Sequence, residues 1–464
     1  MAKLEESEPN NTTNIEAENV LEGPILKTLW QLAVPIMIGN SMQVLYNLAD
    51  TFWLGKVGAD AVASLSVGFP IIFLLISIGG GITVAGTTLV SQYKGAGDEK
   101  HTNKVASQIL VFVMAISIIL SVVGVIFNRQ LLQLIGTPNN ILNTAEEYLD
   151  IIMGGVSFMF LFFIFSSLLR GYGDTKTPMR MIVASTILNI ILDPFLIFGW
   201  GFFPRLEVAG AGIATIFSRA VAGLIGLFIL MTGKKGIHLR LKYLKPDWNY
   251  IKRIIKIGFP SAGEMSIRAL GMTAMMGIVT NYGSAVVAAY GIGMRVLSVI
   301  MMPSRGFARA ATTMVGQNLG AAKIKRAEKS VWLSSGLAFG VLSMLGILFF
   351  SFASQIIAIF NNDPAVLAVG KNLLRVLSIS FGFIGVKIVV GGSFRGAGNT
   401  GIAMFLAAIS LFGLRIPLTK LLADVFQWQA AGIWWGIAIE SFLSAVVAAI
   451  WFKRGTWKES AIEK

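Results

Sequence analysis

The sequence contains no cysteine, only two histidines and few charged residues for its length. Without cysteine the chain forms no disulfide and offers no thiolate nucleophile or cysteine-built metal site. Both histidines, His101 and His238, fall between apolar runs, so neither an intramembrane histidine metal site nor a Ser-His arrangement is available. Charged residues make up 13% of the 464 residues, whereas water-soluble proteins carry roughly 25%. These absences argue against an enzyme and against a soluble fold.

Apolar residues form 55% of the chain and lie in long continuous runs. A helix needs roughly 20 residues to cross about 30 Å of hydrocarbon, and unbroken runs favour helices over the alternating pattern of barrel strands. We predict an all-α polytopic membrane protein with twelve transmembrane helices. The predicted spans are 28–54, 61–90, 105–127, 145–169, 179–198, 208–231, 251–280, 285–315, 331–352, 365–394, 402–423 and 430–452.

The first half of the sequence recurs in the second half at a constant offset of 225 residues. A constant offset over about 140 positions indicates an internal duplication. Six predicted spans fall in each copy; because six is even, both copies enter the bilayer from the same side. We therefore predict two six-helix lobes related by a pseudo-two-fold axis along the membrane normal. The matching positions include Pro35 and Pro260, Gly58 and Gly283, Gln92 and Gln317, Gly95 and Gly320, and the runs 170–175 and 395–400.

The formal charge of +14 could indicate nucleic-acid binding, but the positions of the charges argue otherwise. Most loop lysines and arginines fall on one side of the predicted spans, as at 94–104, 234–245 and 323–326. By the positive-inside rule this side is cytoplasmic and carries both termini. The basic residues then orient the protein in the cell membrane, and we expect the lipid bilayer, not nucleic acid, as the macromolecular environment.

Charge and hydropathy divide the chain into five segments. Residues 1–23 are rich in glutamate and predict a disordered acidic cytoplasmic tail. Residues 24–232 form the N-lobe with helices 1–6, and 250–454 form the C-lobe with helices 7–12. Residues 233–249 form a basic cytoplasmic linker with an interfacial helix around 239–244, and 455–464 form a second cytoplasmic tail.

Three polar residues interrupt the apolar runs of the first copy only. Asp50 lies in helix 1, while Asn189 and Asp193 lie four positions apart in helix 5 and therefore on one helix face. Because charge inside hydrocarbon costs a few kcal/mol, such residues are usually functional. At the corresponding positions the second copy has Met275, Leu414 and Leu418.

The helix lengths place these polar groups at a common depth. About five to seven residues follow Asp50 and Asp193 before each helix ends, so both carboxylates lie roughly 7 to 10 Å below the outer surface. Helix 6 re-enters through the small residues 209–212, which allow close helix approach and place Thr215 at similar depth. Two such carboxylates cannot comfortably both ionise, and a proton or a Na⁺ would relieve their repulsion. Alternatively, both carboxylates only hydrogen-bond to neighbouring helices.

These residues resemble the multidrug and toxic compound extrusion (MATE) transporters, in particular their prokaryotic DinF-like branch. The resemblance extends over residues 26–451 and combines the motifs, the helix count, the duplication and the linker position. The motifs that carry it are Pro35, the stretches 45–50 and 188–194, and the Arg-Gly-x-Gly-[Asp/Asn]-Thr runs at 170–175 and 395–400.

The resemblance implies an antiporter that exports amphipathic drugs or toxic compounds in exchange for H⁺ or Na⁺ by alternating access. It implies no cofactor besides the coupling ion, and we expect a monomer. Pro35 matches the proline at which helix 1 bends, and Gln43 and Tyr46 match positions that line the N-lobe cavity. The cation-coupling site, which would also hold Na⁺, maps to Asp50, Asn189, Asp193, Thr215 and the carbonyl of Ala211.

The C-lobe departs from the NorM-like branch of the resembled family, which places its cation site on acids of helices 7 and 10. Helix 10 here has Lys387 in place of an acid, and Glu264 in helix 7 has Arg268 one turn away, which predicts a neutralised structural pair. We assign Met275, Arg295, Lys387 and Arg415 to the substrate cavity, where unpaired cations would attract anionic groups.

Two alternatives to this assignment stay open. The C-lobe cations could instead pair locally, with Arg305 and Arg309 extending to the cytoplasmic face. An inward cationic cluster would favour a flippase for an anionic lipid-linked intermediate over a drug exporter.

Overall fold

The computed structural model describes residues 20–460, and over this range the chain is helical and contains no strand. We number twelve long helices, counting each of two bent pairs as one. The N-lobe consists of α1 (Ile25–Val57), α2 (Ala59–Gly95), α3 (Glu99–Leu134), α4 (Asn139–Gly154 and Val156–Tyr172), α5 (Lys176–Phe198) and α6 (Glu207–Thr232). The C-lobe consists of α7 (Trp248–Val279), α8 (Ser284–Ile300 and Met302–Gly320), α9 (Ile324–Ser351), α10 (Pro364–Gly396), α11 (Thr400–Val425) and α12 (Gln429–Arg454).

The predicted twelve-helix architecture is confirmed, although not every helix is equally apolar. Within residues 20–460, nine helices are long and apolar enough to cross a membrane, and the bent pairs of α4 (48°) and α8 (43°) raise the number to eleven. The twelfth helix, α7, has 32 residues. It is less apolar because it carries Lys252, Arg253, Lys256, Glu264 and Arg268.

The two lobes are joined by four hydrogen bonds near the end of the molecule where α1 begins and α12 ends. The bonds obey the 225-residue offset, so each lobe contributes the same two donor positions to the other lobe's backbone. We call this set the interlobe latch. The four bonds are donated by Thr88 Oγ1 to the Arg395 carbonyl (2.8 Å), by Gln92 Nε2 to the Gly396 carbonyl (3.1 Å), by Thr313 Oγ1 to the Arg170 carbonyl (3.0 Å) and by Gln317 Nε2 to the Gly171 carbonyl (3.0 Å).

Two repeated glycines let α2 and α8 approach closely enough for the latch to form. A Cβ built on Gly95 would lie 1.9 Å from the carbonyl oxygen of Gln317, and a Cβ on Gly320 would lie 1.9 Å from that of Gln92. Any side chain at either position would therefore separate the lobes. The repeated glutamines and glycines of the sequence are thus contacts between the lobes.

Residues at the inner ends of both predicted tails are packed against the protein. Val20 is 1% exposed, and Arg326 donates to its carbonyl at 3.2 Å, so residues 20–23 pack against the C-lobe instead of belonging to a free tail. At the other end Trp457 is fully buried and stacks on Phe452, with 4.7 Å between ring centroids. The remaining predicted tail residues, 1–19 and 461–464, lie outside the described residues.

The predicted linker is anchored to α3 of the N-lobe. Gln108 Nε2 donates to the carbonyls of Tyr243 (2.6 Å) and Lys245 (2.7 Å). Lys104 donates to Asp247 at 2.7 Å, and this hydrogen bond holds the pKa of Asp247 below its usual value. The predicted interfacial helix around 239–244 is a single 3₁₀ turn, Leu241–Tyr243.

Candidate cation-coupling site and charged interior

The polar residues predicted for the cation-coupling site come from three helices and meet inside the N-lobe. Asp50 lies on α1, Asn189 and Asp193 on α5, and Thr215 on α6. All four are buried, with Asn189 and Asp193 fully inaccessible. Asp50 lies close enough to interact directly with Asp193, Asn189 and Tyr46. The structure therefore brings together side chains that are separated by up to 165 positions in the sequence.

Hydrogen bonds hold this arrangement in place. Asn189 Nδ2 donates to Asp193 Oδ1 at 3.2 Å, one helical turn along α5. The hydroxyls of Tyr46 and Thr215 share a 2.5 Å hydrogen bond that joins α1 to α6. The close contact of α6 with α5 depends on Gly210, since a Cβ there would lie 2.5 Å from the Leu196 carbonyl oxygen. The small residues at the start of α6 thus set the depth of Thr215.

Three buried oxygens of this cluster have no hydrogen-bond partner among residues 20–460. They are Asp50 Oδ1, Asn189 Oδ1 and Asp193 Oδ2. A buried acceptor without a donor costs about 1–3 kcal/mol, so three in one place are unfavourable unless a proton or a cation satisfies them. Carboxylate and amide oxygens are ligands that suit a hard cation. No cluster of three or more His, Cys, Asp or Glu occurs in the described part of the chain, so the site differs from a typical multivalent metal centre.

Arg219 on α6 adds a charge that the sequence analysis missed. It is 8% exposed, donates to Gln43 Oε1 at 2.7 Å, and lies 5.1 Å from the ring centroids of both Tyr46 and Phe162. Its charge acts on Asp50. With both aspartates ionised the cluster carries one net negative charge, which a single proton or monovalent cation would neutralise. Arg219 could have been found from the sequence, because it is the lone arginine in the apolar run 208–231.

The other residues predicted for the N-lobe, Ala211, Gln43 and Tyr46, lie on α6 and α1. Ala211 is 1% exposed in the first turns of α6 and packs in an apolar cluster with Leu54 and Tyr148. Gln43 and Tyr46 both contact Arg219, as described above.

The C-lobe contains a buried carboxylate whose two oxygens both have hydrogen-bond partners, Glu440 on α12. It is fully inaccessible, and both of its oxygens accept hydrogen bonds. Lys387 Nζ donates to Oε1 at 2.9 Å, and Arg415 donates to Oε2 through Nε (2.9 Å) and Nη2 (2.6 Å). Ser410 and Ser444 complete the shell around Oε1. The prediction of Lys387 and Arg415 as unpaired cations is therefore corrected: they pair locally, since Glu440 lies between α10 and α11.

Glu264 on α7 is the second neutralised acid of the C-lobe. Arg268 Nη2 donates to it at 2.8 Å, which confirms the predicted pair one turn along the helix. Arg395 Nη1 adds bonds of 2.9 Å and 3.0 Å to the two carboxylate oxygens. Arg395 belongs to the repeated Arg-Gly motif, so this ion pair lies directly beside the interlobe latch.

The remaining predicted residues are dispersed. Met275 is 1% exposed and packs in the C-lobe core, so it lines no accessible cavity in this structure. Arg295 on α8 is exposed and forms no ion pair with any residue in the range 20–460. Pro35 is buried within α1, which continues as one helix from Ile25 to Val57.

The fold and the charged interior define a polytopic membrane protein built from two homologous six-helix lobes. The MatE family model matches residues 35–195 and again 260–421, once in each lobe. The chain belongs to this family, the multidrug and toxic compound extrusion transporters. It is thus a multi-pass membrane protein of a family that transports small molecules.

Relatives and solved structures agree with this placement over nearly the full length. The probable multidrug resistance protein YpnP of Bacillus subtilis is 31% identical over 445 residues, covering 96% of this chain and 98% of that protein. An FAD transporter of Shewanella oneidensis is 27% identical over 409 residues, covering 88% and 90%. A crystal structure of a MATE protein in the bent conformation, 22% identical, superposes with a TM-score of 0.89 over 98% of this chain and 100% of that chain.

Proposed function

We propose that the protein is a secondary active antiporter that exports amphipathic small molecules in exchange for H⁺ or Na⁺. The observation that carries this proposal is the N-lobe cluster, with three unpaired buried oxygens and one net negative charge. One coupling ion would both satisfy the oxygens and neutralise the charge. The B. subtilis relative named as a probable multidrug resistance protein supports small-molecule export.

The contacts of α1 suggest how ion binding reaches the lobe interface. The first turns of α1 pack on α8 of the C-lobe, with Trp30 and Phe307 rings 5.3 Å apart. The second half of α1 carries Tyr46 and Asp50 of the ion site. Pro35 lies between these two contacts and lacks the backbone N–H that would stiffen the helix there. Bending at Pro35 would therefore couple the state of Asp50 to the packing of the two lobes.

The interlobe latch would serve as the gate for alternating access. The positive-inside rule assigns the latch end to the cytoplasm, together with both termini. On this assignment the structure is closed toward the cytoplasm, and inward opening requires the four latch hydrogen bonds to break. Gain of the coupling ion at the N-lobe would shift the balance between these access states by its differential affinity for them.

The test is neutralisation of each site carboxylate in purified protein reconstituted into vesicles. We expect Asp50→Asn and Asp193→Asn each to abolish export driven by a pH or Na⁺ gradient, because charge is lost at nearly constant volume. The matched control is Asp60→Asn, an exposed acid in the first turn of α2, which should export at the unmodified rate. Gradients imposed separately would identify the coupling ion. Wild-type export by either site variant would refute the N-lobe site.

A second candidate function is transport of an anionic compound, such as a lipid-linked intermediate, by the same fold. The relative named as an FAD transporter shows that a cargo with phosphate groups occurs among similar proteins. The observation that favours this candidate is the excess of cations in the C-lobe interior, where Glu264 and Glu440 face four basic partners. Export of neutral and anionic analogues of one compound would separate the candidates.

The proposal has several further parts. The protein acts in the cell membrane as a monomer of the DinF-like branch, without enzymatic activity, cofactor or nucleic-acid partner. A pure transport cycle needs only the ion site and the gate described above, together with a path for the substrate between the lobes. Transport that required a bound cofactor, or activity confined to an oligomer in nanodiscs of defined size, would contradict these parts.

A further inference from the structure

Three arginines from the two lobes lie together beside the interlobe latch. Arg170 ends α4 of the N-lobe, and its carbonyl accepts one of the latch bonds. Arg305 and Arg309 lie one turn apart on α8 of the C-lobe. Thr313 Oγ1 lies 3.0 Å from the Arg170 carbonyl oxygen and 3.5 Å from the Arg309 carbonyl oxygen, which places Arg170 beside Arg309. We call these three residues the arginine trio.

The trio has no counter-charge in the described part of the chain. No carboxylate between residues 20 and 460 forms an ion pair with Arg170, Arg305 or Arg309, whereas Arg268, Lys387, Arg395 and Arg415 all do. Asn40 of the N-lobe contacts the trio, and its Oδ1 accepts from Arg309 Nη1 at 3.3 Å. The amide nitrogen of Asn40 is itself buried without an acceptor among these residues. Four cationic or N–H donor groups therefore converge without an anion.

Arg309 lies where the two lobes meet, since it bonds to Asn40 of α1. Arg305 and Arg309 keep exposed surface although protein surrounds them. Arg305 neighbours Arg268, whose side chain is 47% exposed, and Arg268 in turn neighbours Lys387. Basic side chains thus extend from the trio along the C-lobe interior, where Glu264 and Glu440 compensate Arg268 and Lys387.

Uncompensated cations inside a membrane protein are costly, and the planar guanidinium forks match phosphate and carboxylate oxygens. We propose that the arginine trio binds the phosphate or carboxylate group of the transported compound, while the apolar part of that compound lies along the cleft. Because Arg170 belongs to one lobe and Arg305 and Arg309 to the other, the bound anion bridges the lobes beside the gate. This inference rests on the proposed transport function and names the class of its substrate as anionic amphiphiles.

The test compares two fluorescent flavins that share one ring system and differ in a phosphate. Riboflavin is neutral, whereas flavin mononucleotide carries a phosphate monoester. Binding is measured without any gradient, to the full-length protein in phosphatidylcholine nanodiscs. Since a charge-assisted hydrogen bond contributes about 1.5–3 kcal/mol, we expect the phosphate form to bind at least about tenfold more tightly. The preference should shrink as salt rises.

Variants assign this preference to the trio. Arg305→Gln and Arg309→Gln should each weaken binding of the phosphate form about tenfold and leave riboflavin unchanged. Arg309→Lys retains the charge and should retain most of the affinity. Arg375→Gln is the matched control, since Arg375 is an exposed arginine on α10 that contacts the Phe350 ring. Equal effects of Arg375→Gln and Arg309→Gln would overturn the assignment.

Competition identifies the source of the anion. Displacement of flavin mononucleotide by inorganic phosphate would show that a free anion suffices, and displacement by phosphatidylglycerol in the nanodisc would point to a lipid headgroup. Either result supports an anion site at the trio. Equal affinity for both flavins would overturn the site but leave the antiport proposal standing, because the latter depends on Asp50 and Asp193.

Discussion

The two lobes contain buried carboxylates that are equally inaccessible but differ in how their oxygens are satisfied. In the N-lobe, Asp193 and Asp50 each keep one oxygen without a hydrogen-bond partner among the described residues. In the C-lobe, both oxygens of Glu440 accept bonds, and two of its donors are cations. Duplication thus produced two lobes with one fold whose buried charge clusters differ in sign: Asp50, Asp193 and Arg219 sum to a net negative charge, whereas Glu440 with Lys387 and Arg415 sums to a net positive charge.

This contrast separates a carboxylate that can gain an ion from one that serves as a fixed counter-ion. A saturated carboxylate between two cations has little to gain from protonation, because a proton would displace a charge-assisted hydrogen bond. An unsaturated carboxylate beside a second acid gains both a bond and relief from repulsion. Burial alone therefore does not distinguish the two kinds of carboxylate, and the proposed coupling site rests on the unpaired oxygens.

The largest effect on stability is expected from Glu440→Gln. This change leaves Lys387 and Arg415 buried without a counter-charge, which should lower the free energy of unfolding by about 3–5 kcal/mol. Thermal unfolding in detergent, followed by tryptophan fluorescence, measures the change. An unaltered melting temperature would contradict the structural role of Glu440 and would make Glu440 a candidate for ion binding.

Glu264→Gln should have a smaller effect, about 1–3 kcal/mol, because Arg268 is half exposed and can regain water. Coupled export should persist at a substantial rate, since Glu264 is not part of the N-lobe cluster. The same unfolding measurement and the vesicle assay check both statements. Complete loss of export with normal folding would move the coupling site into the C-lobe.

The latch predicts equal effects at symmetry-related positions. Gln92→Met and Gln317→Met each remove one interlobe hydrogen bond, worth about 1 kcal/mol. Because the chain has no cysteine, Ser91→Cys provides a single reporter that is buried while the latch is closed. Alkylation of this cysteine by a polar maleimide should quicken about fivefold in either variant. A faster alkylation in only one of the two variants would show that the symmetry-related bonds do not contribute equally to the gate.

The smallest change in stability is expected from Asp193→Asn, even though export is lost. Its Oδ2 atom has no partner to lose within residues 20–460, and the new amide can donate toward Asp50. The free energy of unfolding should stay within about 1 kcal/mol of the unmodified protein. A loss as large as that of Glu440→Gln would mean that both carboxylates are structural and that the lobes do not differ in role.

The residues of the N-lobe site could be predicted from the sequence because their signals are local. A four-residue spacing places Asn189 and Asp193 on one helix face, and helix length sets the depth of Asp50. Arg219 carried a similar local signal, but its importance depends on contacts with Gln43 and Tyr46 of another helix. Arg305 and Arg309 are visible in the sequence as two arginines one helical turn apart, but the lack of an ion-pair partner for them among residues 20–460 depends on contacts between helices.

By itself the sequence determined the twelve helices, the duplication and the polar positions of the first copy, because run length, offset and helical spacing are properties of neighbouring residues. Only the tertiary structure decided which charges are compensated. Lys387 and Glu440 lie 53 positions apart and Arg415 and Glu440 lie 25 apart, yet all three meet in one ion cluster. Whether a buried charge finds a partner depends on distances between helices, which hydropathy and spacing along one helix do not contain.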